Sequence, residues 1–174
     1  MRRVEVTDYD PRWPLLFEQE AELLRGILGE NLRDIYHIGS TAVPGFTAKP
    51  IIDIMPVVES LSETDCLEEI FRQNGYYTHG ESGIPDRLFY TKNVEGVRKF
   101  HLHIVEAGSP HIIRHLAVRD YLREHPGARR EYKGLKQSLA WEYPYNIKAY
   151  IEGKHEYVTG LECRALRWYR KRQS

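Results

Sequence analysis

Asp53 sits inside an almost wholly apolar run, Pro50-Ile51-Ile52-Asp53-Ile54-Met55-Pro56-Val57-Val58. A carboxylate among such neighbours is costly to bury unless it is paired, hydrogen-bonded or bound to a metal. The run itself reads as a strand covered on both faces. The chain therefore has to build a sheet around this stretch and supply its acid with partners. Upstream, Leu32 to Ile38 reads as a second strand, and Gly39-Ser40 follows as a tight turn. Ala42 to Ala48 is expected to be a short irregular or helical piece broken by Pro44 and Gly45.

Val4 and Val6 alternate with charged residues, as in a short strand or extended arm. Leu15, Leu16, Phe17, Ala21, Leu23, Leu24, Ile27 and Leu28 recur at helical spacing, with Gly29 as a stop. Ser62 to Asn74 reads as one helix with Ser62 as cap and Asp65 at the box position. Leu67, Ile70 and Phe71 form its inner stripe, and Gly75 ends it. Tyr76 to His79 and Arg87 to Lys92 are expected strands, Asn93 to Gly96 a hairpin turn, and Val97 to Glu106 the partner strand. From Ser109 onward the pattern is helical. Helices are expected from Pro110 to about Arg123, from Ala128 to about Tyr143, and from Asn146 to about Arg170, the last interrupted or bent near Gly153 and Gly160. A mixed sheet with packed helices and a helical C-terminal third is an α+β arrangement, expected as a single domain over residues 1–174.

Composition narrows the function classes. Twenty-five Lys and Arg balance 25 Asp and Glu, so no general nucleic-acid-binding surface is expected, although a local basic patch is allowed. Cys66 and Cys163 match no metal spacing and read as free thiols of a reducing compartment. The start, Met-Arg-Arg-Val-Glu-Val, lacks the apolar core of a signal peptide, and no stretch approaches a membrane span. A cytoplasmic protein without membrane or nucleic-acid partners is the expectation. There is no Gly-x-x-x-x-Gly-Lys-Ser/Thr loop, no Gly-x-Ser-x-Gly elbow and no His-Glu-x-x-His. A histidine-based phosphoesterase would need paired His-x-Ser/Thr motifs; the chain has one His-Leu-His and no second copy.

Three groups of residues can carry chemistry. Gly39-Ser40, with Thr41 after it, exposes backbone N–H groups and a hydroxyl suited to phosphate oxygens; alone, such a turn is also an ordinary structural feature. His101 and His103 alternate along one strand and share a face, so pairing beside the Asp53 strand would bring two imidazoles to one carboxylate. That set suits Zn²⁺ or Mn²⁺ better than Mg²⁺; equally, the histidines can simply hydrogen-bond the acid. His37 can join them or support the turn. Lys49, Arg87, Arg119, Lys136 and Lys154 are the cations available to neutralise a polyphosphate, within a larger basic set that includes His111, His115 and Arg123.

His-Ile-Gly-Ser-Thr-Ala-Val-Pro-Gly (37–45), Ala-Lys-Pro-Ile-Ile-Asp-Ile (48–54), His-Leu-His (101–103), Arg-Asp-Tyr-Leu-Arg-Glu-His-Pro (119–126), Tyr-Lys-Gly-Leu-Lys (132–136) and Tyr-Ile-Glu-Gly-Lys (150–154) together resemble the GrpB family. The resemblance implies a nucleotidyltransferase-like fold. In that superfamily a Gly-Ser turn holds the triphosphate, here Gly39 and Ser40, and an Asp-x-Asp pair on the next strand holds two metals. Asp53 matches the second acid of the pair, and Ile51 stands at the first-acid position. His101 and His103 occupy the third-acid region. The implied reaction is nucleotidyl or phosphoryl transfer from an NTP, with a divalent ion (Mn, Zn or Mg) on Asp53, His101 and His103, and with Asp53 and His103 catalytic. The competing expectation is a nucleotide- or anion-binding module that keeps the fold without the acid pair.

Overall fold

The computed structural model describes residues 3–173. The chain forms two compact units. One, the sheet unit, comprises Pro11–Ile38 and Ile51–Ile112; the other, the helical unit, comprises Gly39–Pro50 with residues 3–10 and 113–173.

In the sheet unit, α1 runs Trp13–Leu28 and places Phe17, Ala21, Leu24 and Leu28 on its buried face. Burying such a leucine is worth about 1.5–3 kcal/mol, so this stripe fixes the helix more firmly than propensity does. Gly29, at φ 52°, turns the chain out of the helix. The strands are β1 (Leu32–Ile38), β2 (Ile52–Val58), β3 (Tyr76–Thr78), β4 (Arg87–Val94) and β5 (Val97–Glu106). Their order is β1-β2-β5-β4-β3, and β2 and β5 form the parallel pair. Alternation along β5 buries Phe100, Leu102 and Ile104 on one face and leaves His101 and His103 half-buried on the other. Ile52 and Ile54 lie beside Phe100 and Leu102, so Asp53 shares the histidine face.

The expected helix over Ser62–Asn74 is two short ones, α2 (Leu61–Asp65) and α3 (Glu68–Gln73). Its cap is Ser60, not Ser62: the Ser60 hydroxyl accepts from Glu63 N. Asn31 fixes this start, donating to Ser60 O and accepting from Ser60 N, both at 2.9 Å. Phe71 packs inward against Tyr90, while Ile70 is exposed. β4 continues to Val94, so the hairpin tightens to Glu95-Gly96, both at positive φ. Buried Glu20 is held by Lys92 Nζ at 2.6 Å and by the Tyr76 hydroxyl.

The helical unit contains most of α4 (Pro110–Glu124) with α5 (Pro126–Glu142) and α6 (Ile147–Gln173). Val43, Phe46, Leu122, Tyr132 and Leu161 form one core cluster, and Val4, Leu139 and Tyr150 another. Among the described residues, the N-terminal arm makes one isolated bridge, Thr7 to Ala48. α6 continues unbroken through Gly153 and Gly160, contrary to the expected interruption. At Gly153 a Cβ would meet Leu139 Cδ2 at 2.5 Å, so this glycine serves close packing of α6 on α5. Among the described residues, no helix is long and apolar enough to cross a membrane.

Candidate functional site

The sheet unit brings Asp53, His101 and His103 together. In the parallel ladder Asp53 pairs with His101. His101 Nδ1 lies 3.3 Å and His103 Nε2 3.2 Å from Asp53 Oδ1. The three potential ligand atoms all lie within 4.8 Å of one another. Burial opposes ionisation of Asp53, but the hydrogen bonds from His101 and His103 outweigh it and hold the carboxyl well below the usual carboxylate range. Phe89, opposite His103 in the β4–β5 register, packs against both imidazoles at 5.2–5.3 Å. His37 stacks on Phe17 instead, with ring centroids 4.8 Å apart.

Arg87, expected among the phosphate-neutralising cations, lies on β4 beside the histidines. Its Nη1 is 3.2 Å from His103 Nδ1, and its Nη2 donates to the carbonyls of Glu81 and Ser82 at 2.9 and 3.3 Å. This contact follows from strand register, a signal that residue type alone does not carry.

The helical unit holds the rest of the expected phosphate set. Gly39 has φ 72°, a conformation that favours glycine, and Ser40–Ala42 follows as a single 3-10 turn. Lys136 projects from α5 and is 4% exposed. Its ammonium donates to Ser40 Oγ at 2.5 Å and to Thr47 O at 3.1 Å. It also lies 4.2 Å from the Phe46 ring centroid and 4.5 Å from that of Tyr132. These faces partly replace the water that a buried ammonium gives up. Burial, with Tyr150 and Tyr157 nearby, raises the Tyr132 phenol, which therefore stays neutral beside the lysine.

Lys49 and Lys154 both lie over the Tyr150 ring, at 4.5 and 5.1 Å from its centroid. Thr41 is buried, so its side chain is not presented at the surface. Arg119 bonds Asp120 at 2.7 Å. Arg123, which the sequence offers only as one of many basic residues, donates through Nε and Nη2 to Ala42 O at 3.0 and 2.8 Å. It braces the end of the turn that carries Ser40. The i, i+4 spacing of His111, His115, Arg119 and Arg123 along one helical face is the signal the sequence carries for it.

Comparison with known proteins agrees with this architecture. A family profile described as "GrpB protein" matches residues 3–164. The UPF0157 protein YqkA of Bacillus subtilis is 40% identical over 173 residues, covering 99% of this chain and 50% of YqkA. This chain thus spans about half the length of that relative. The glutamate-rich protein GrpB of Alkalihalophilus pseudofirmus is 36% identical over 162 residues, covering 91% of this chain and 93% of that one. The crystal structure of GrpB from Enterococcus faecalis superposes with a TM-score of 0.91 at 40% identity, over 95% of this chain and 99% of that chain. A structure of the Cid1 poly(U) polymerase shares the fold at 12% identity, with a TM-score of 0.52 over 75% of this chain and 45% of that one. The fold is nucleotidyltransferase-like, and by the profile match and these relatives the protein belongs to the GrpB family.

Proposed function

We propose that this protein binds the phosphates of a nucleotide at the Ser40 turn. The observation that carries the reading is the buried Lys136 ammonium, 2.5 Å from Ser40 Oγ. A fixed cation, a hydroxyl and the first N–H groups of a 3-10 turn make a donor set that an anionic oxygen satisfies. Lys49 and Lys154, within the same unit, add positive charge. The nucleotidyltransferase-like fold supports a nucleotide over a simple anion.

The two-metal centre of that fold class does not fit these residues. Two divalent ions held about 3.5–4 Å apart need several anionic oxygens, and Ile51 stands where the first acid would be. A second reading, nucleotidyl transfer assisted by one ion, is favoured by the register that sets Asp53 beside His101. Such an ion would supply charge neutralisation to an anionic oxygen bound at that cluster. Calorimetric titration with ATP, GTP, CTP, UTP and pyrophosphate, each in EDTA and with Mn²⁺, tests the binding reading. Saturable binding in EDTA supports it, and no heat with any of the five rejects it. Labelled NTP incubated with cell extract separates the second reading, which requires a metal-dependent labelled product lost in Asp53→Ala.

A further inference from the structure

We infer that Arg87 is a positioning residue: it fixes His103 as a hydrogen-bond donor to Asp53 and takes it out of metal coordination. The inference does not depend on where a nucleotide binds. A guanidinium has five N–H donors and no acceptor. Arg87 Nη1, 3.2 Å from His103 Nδ1, can only donate to it. Nδ1 therefore carries no proton and Nε2 carries one. That Nε2–H is directed at Asp53 Oδ1, 3.2 Å away. The chain of donation runs Arg87 to His103 to Asp53, in one direction.

Coordination by His103 Nε2 would reverse this. A metal takes the Nε2 lone pair, so the proton moves to Nδ1, and metal-bound histidines donate that proton to an acceptor. Here Nδ1 faces an N–H donor bearing a positive charge. Arg87 is also held in place. It is 6% exposed, its Nη2 is bonded to two carbonyls, and its guanidinium lies over the Phe89 ring at 4.8 Å. The carbonyls belong to a loop that is itself tied, with Asp86 N donating to Glu81 Oε1 at 2.9 Å. Moving Arg87 aside would break this set together. An ion at the cluster therefore has two protein ligands, Asp53 and His101, and His103 orients the carboxylate.

Long-range ¹H–¹⁵N correlation of histidine side chains reads the arrangement directly, with His103→Gln assigning the signals. In metal-free wild-type protein His103 is expected to bear its proton on Nε2 with Nδ1 bare. On Zn²⁺ addition the His101 nitrogens shift and those of His103 keep their pattern. A wild-type protein in which neither histidine responds to Zn²⁺ still supports the assignment when His103 is protonated on Nε2. A proton on His103 Nδ1, or a coordination shift at its Nε2 with Arg87 present, overturns it. Arg87→Met removes the donors and should strengthen Zn²⁺ binding at least tenfold, with His103 now responding. Arg87→Lys keeps a donor and should restore the wild-type pattern. If Arg87→Met fails to fold, wild type and Arg87→Lys decide the question.

Discussion

Half-buried Asp53 and buried Lys136 each carry a charge that needs partners, and each finds them in a different way. The Asp53 carboxylate is held ionised by His101 and His103. Its pKa is lower in the folded chain than the ordinary value of about 4, so the stability it confers is complete above that value. That contribution is lost as pH falls below about 4 towards the folded pKa. Asp53→Asn keeps an acceptor for His103 but not the charge. It should cost about 1 kcal/mol at pH 7, the difference between a charged and a neutral hydrogen bond. Urea unfolding in EDTA should show the gap between wild type and Asp53→Asn closing below about pH 4. Lys136 is held by a hydroxyl, a carbonyl and two aromatic faces, which is why its stem and its charge can be separated by substitution.

At the scale of elements, two glycines in α6 make opposite predictions. Gly160→Ala meets only the flexible end of Arg164, at 3.4 Å, and should stabilise the helix by about 0.5–1 kcal/mol. Gly153→Ala drives a Cβ to within 2.5 Å of Leu139 Cδ2 and should destabilise by about 1–3 kcal/mol. Urea midpoints of the two variants check both signs. The β4–β5 turn offers a third test. Glu95 has φ 51° before Gly96 at 76°, a pair of left-handed residues that Asn-Gly suits better. Glu95→Asn should therefore stabilise by about 0.5–1 kcal/mol in the same assay. Elements were legible where local rules decided them. β5 follows the period of two from Phe100 to Ile104, and α1 has its stripe and glycine stop. The helix expected over Ser62–Asn74 differs from the structure because its start is set by Asn31, far away in sequence, and its middle breaks at Cys66-Leu67. The histidine–aspartate cluster was legible because alternation put His101 and His103 on one face. Arg87 reads as a phosphate cation from sequence because charge is visible there and strand register is not.

The whole molecule interleaves its units in sequence, leaving the sheet unit after Ile38 and re-entering it at Ile51. Both units rely on buried phenols. Burial, aided by Glu20, raises Tyr76 in the sheet unit, and burial raises Tyr132 in the helical unit. Burial pushes Tyr150 up to about 12. Unfolded tyrosines ionise near 10, so the stability from these groups is complete below about pH 10 and is lost as pH rises towards 12. Each contributes at most about 1.4 kcal/mol per pH unit in that window. Urea midpoints between pH 8 and 11.5 should fall steeply above 10, with phenolate absorbance beyond that of exposed tyrosines such as Tyr77 and Tyr145 appearing together with unfolding. The central claim, that nucleotide phosphates bind at the Ser40 turn through Lys136, is tested most directly by calorimetric titration with ATP in EDTA of wild type and Lys136→Met. Methionine keeps the packing against Phe46 and Tyr132 and removes the charge. The account predicts saturable binding to wild type and at least a tenfold loss in a variant with an unchanged circular dichroism spectrum. Equal affinity in the two proteins, or no binding to wild type by any nucleotide, would contradict it.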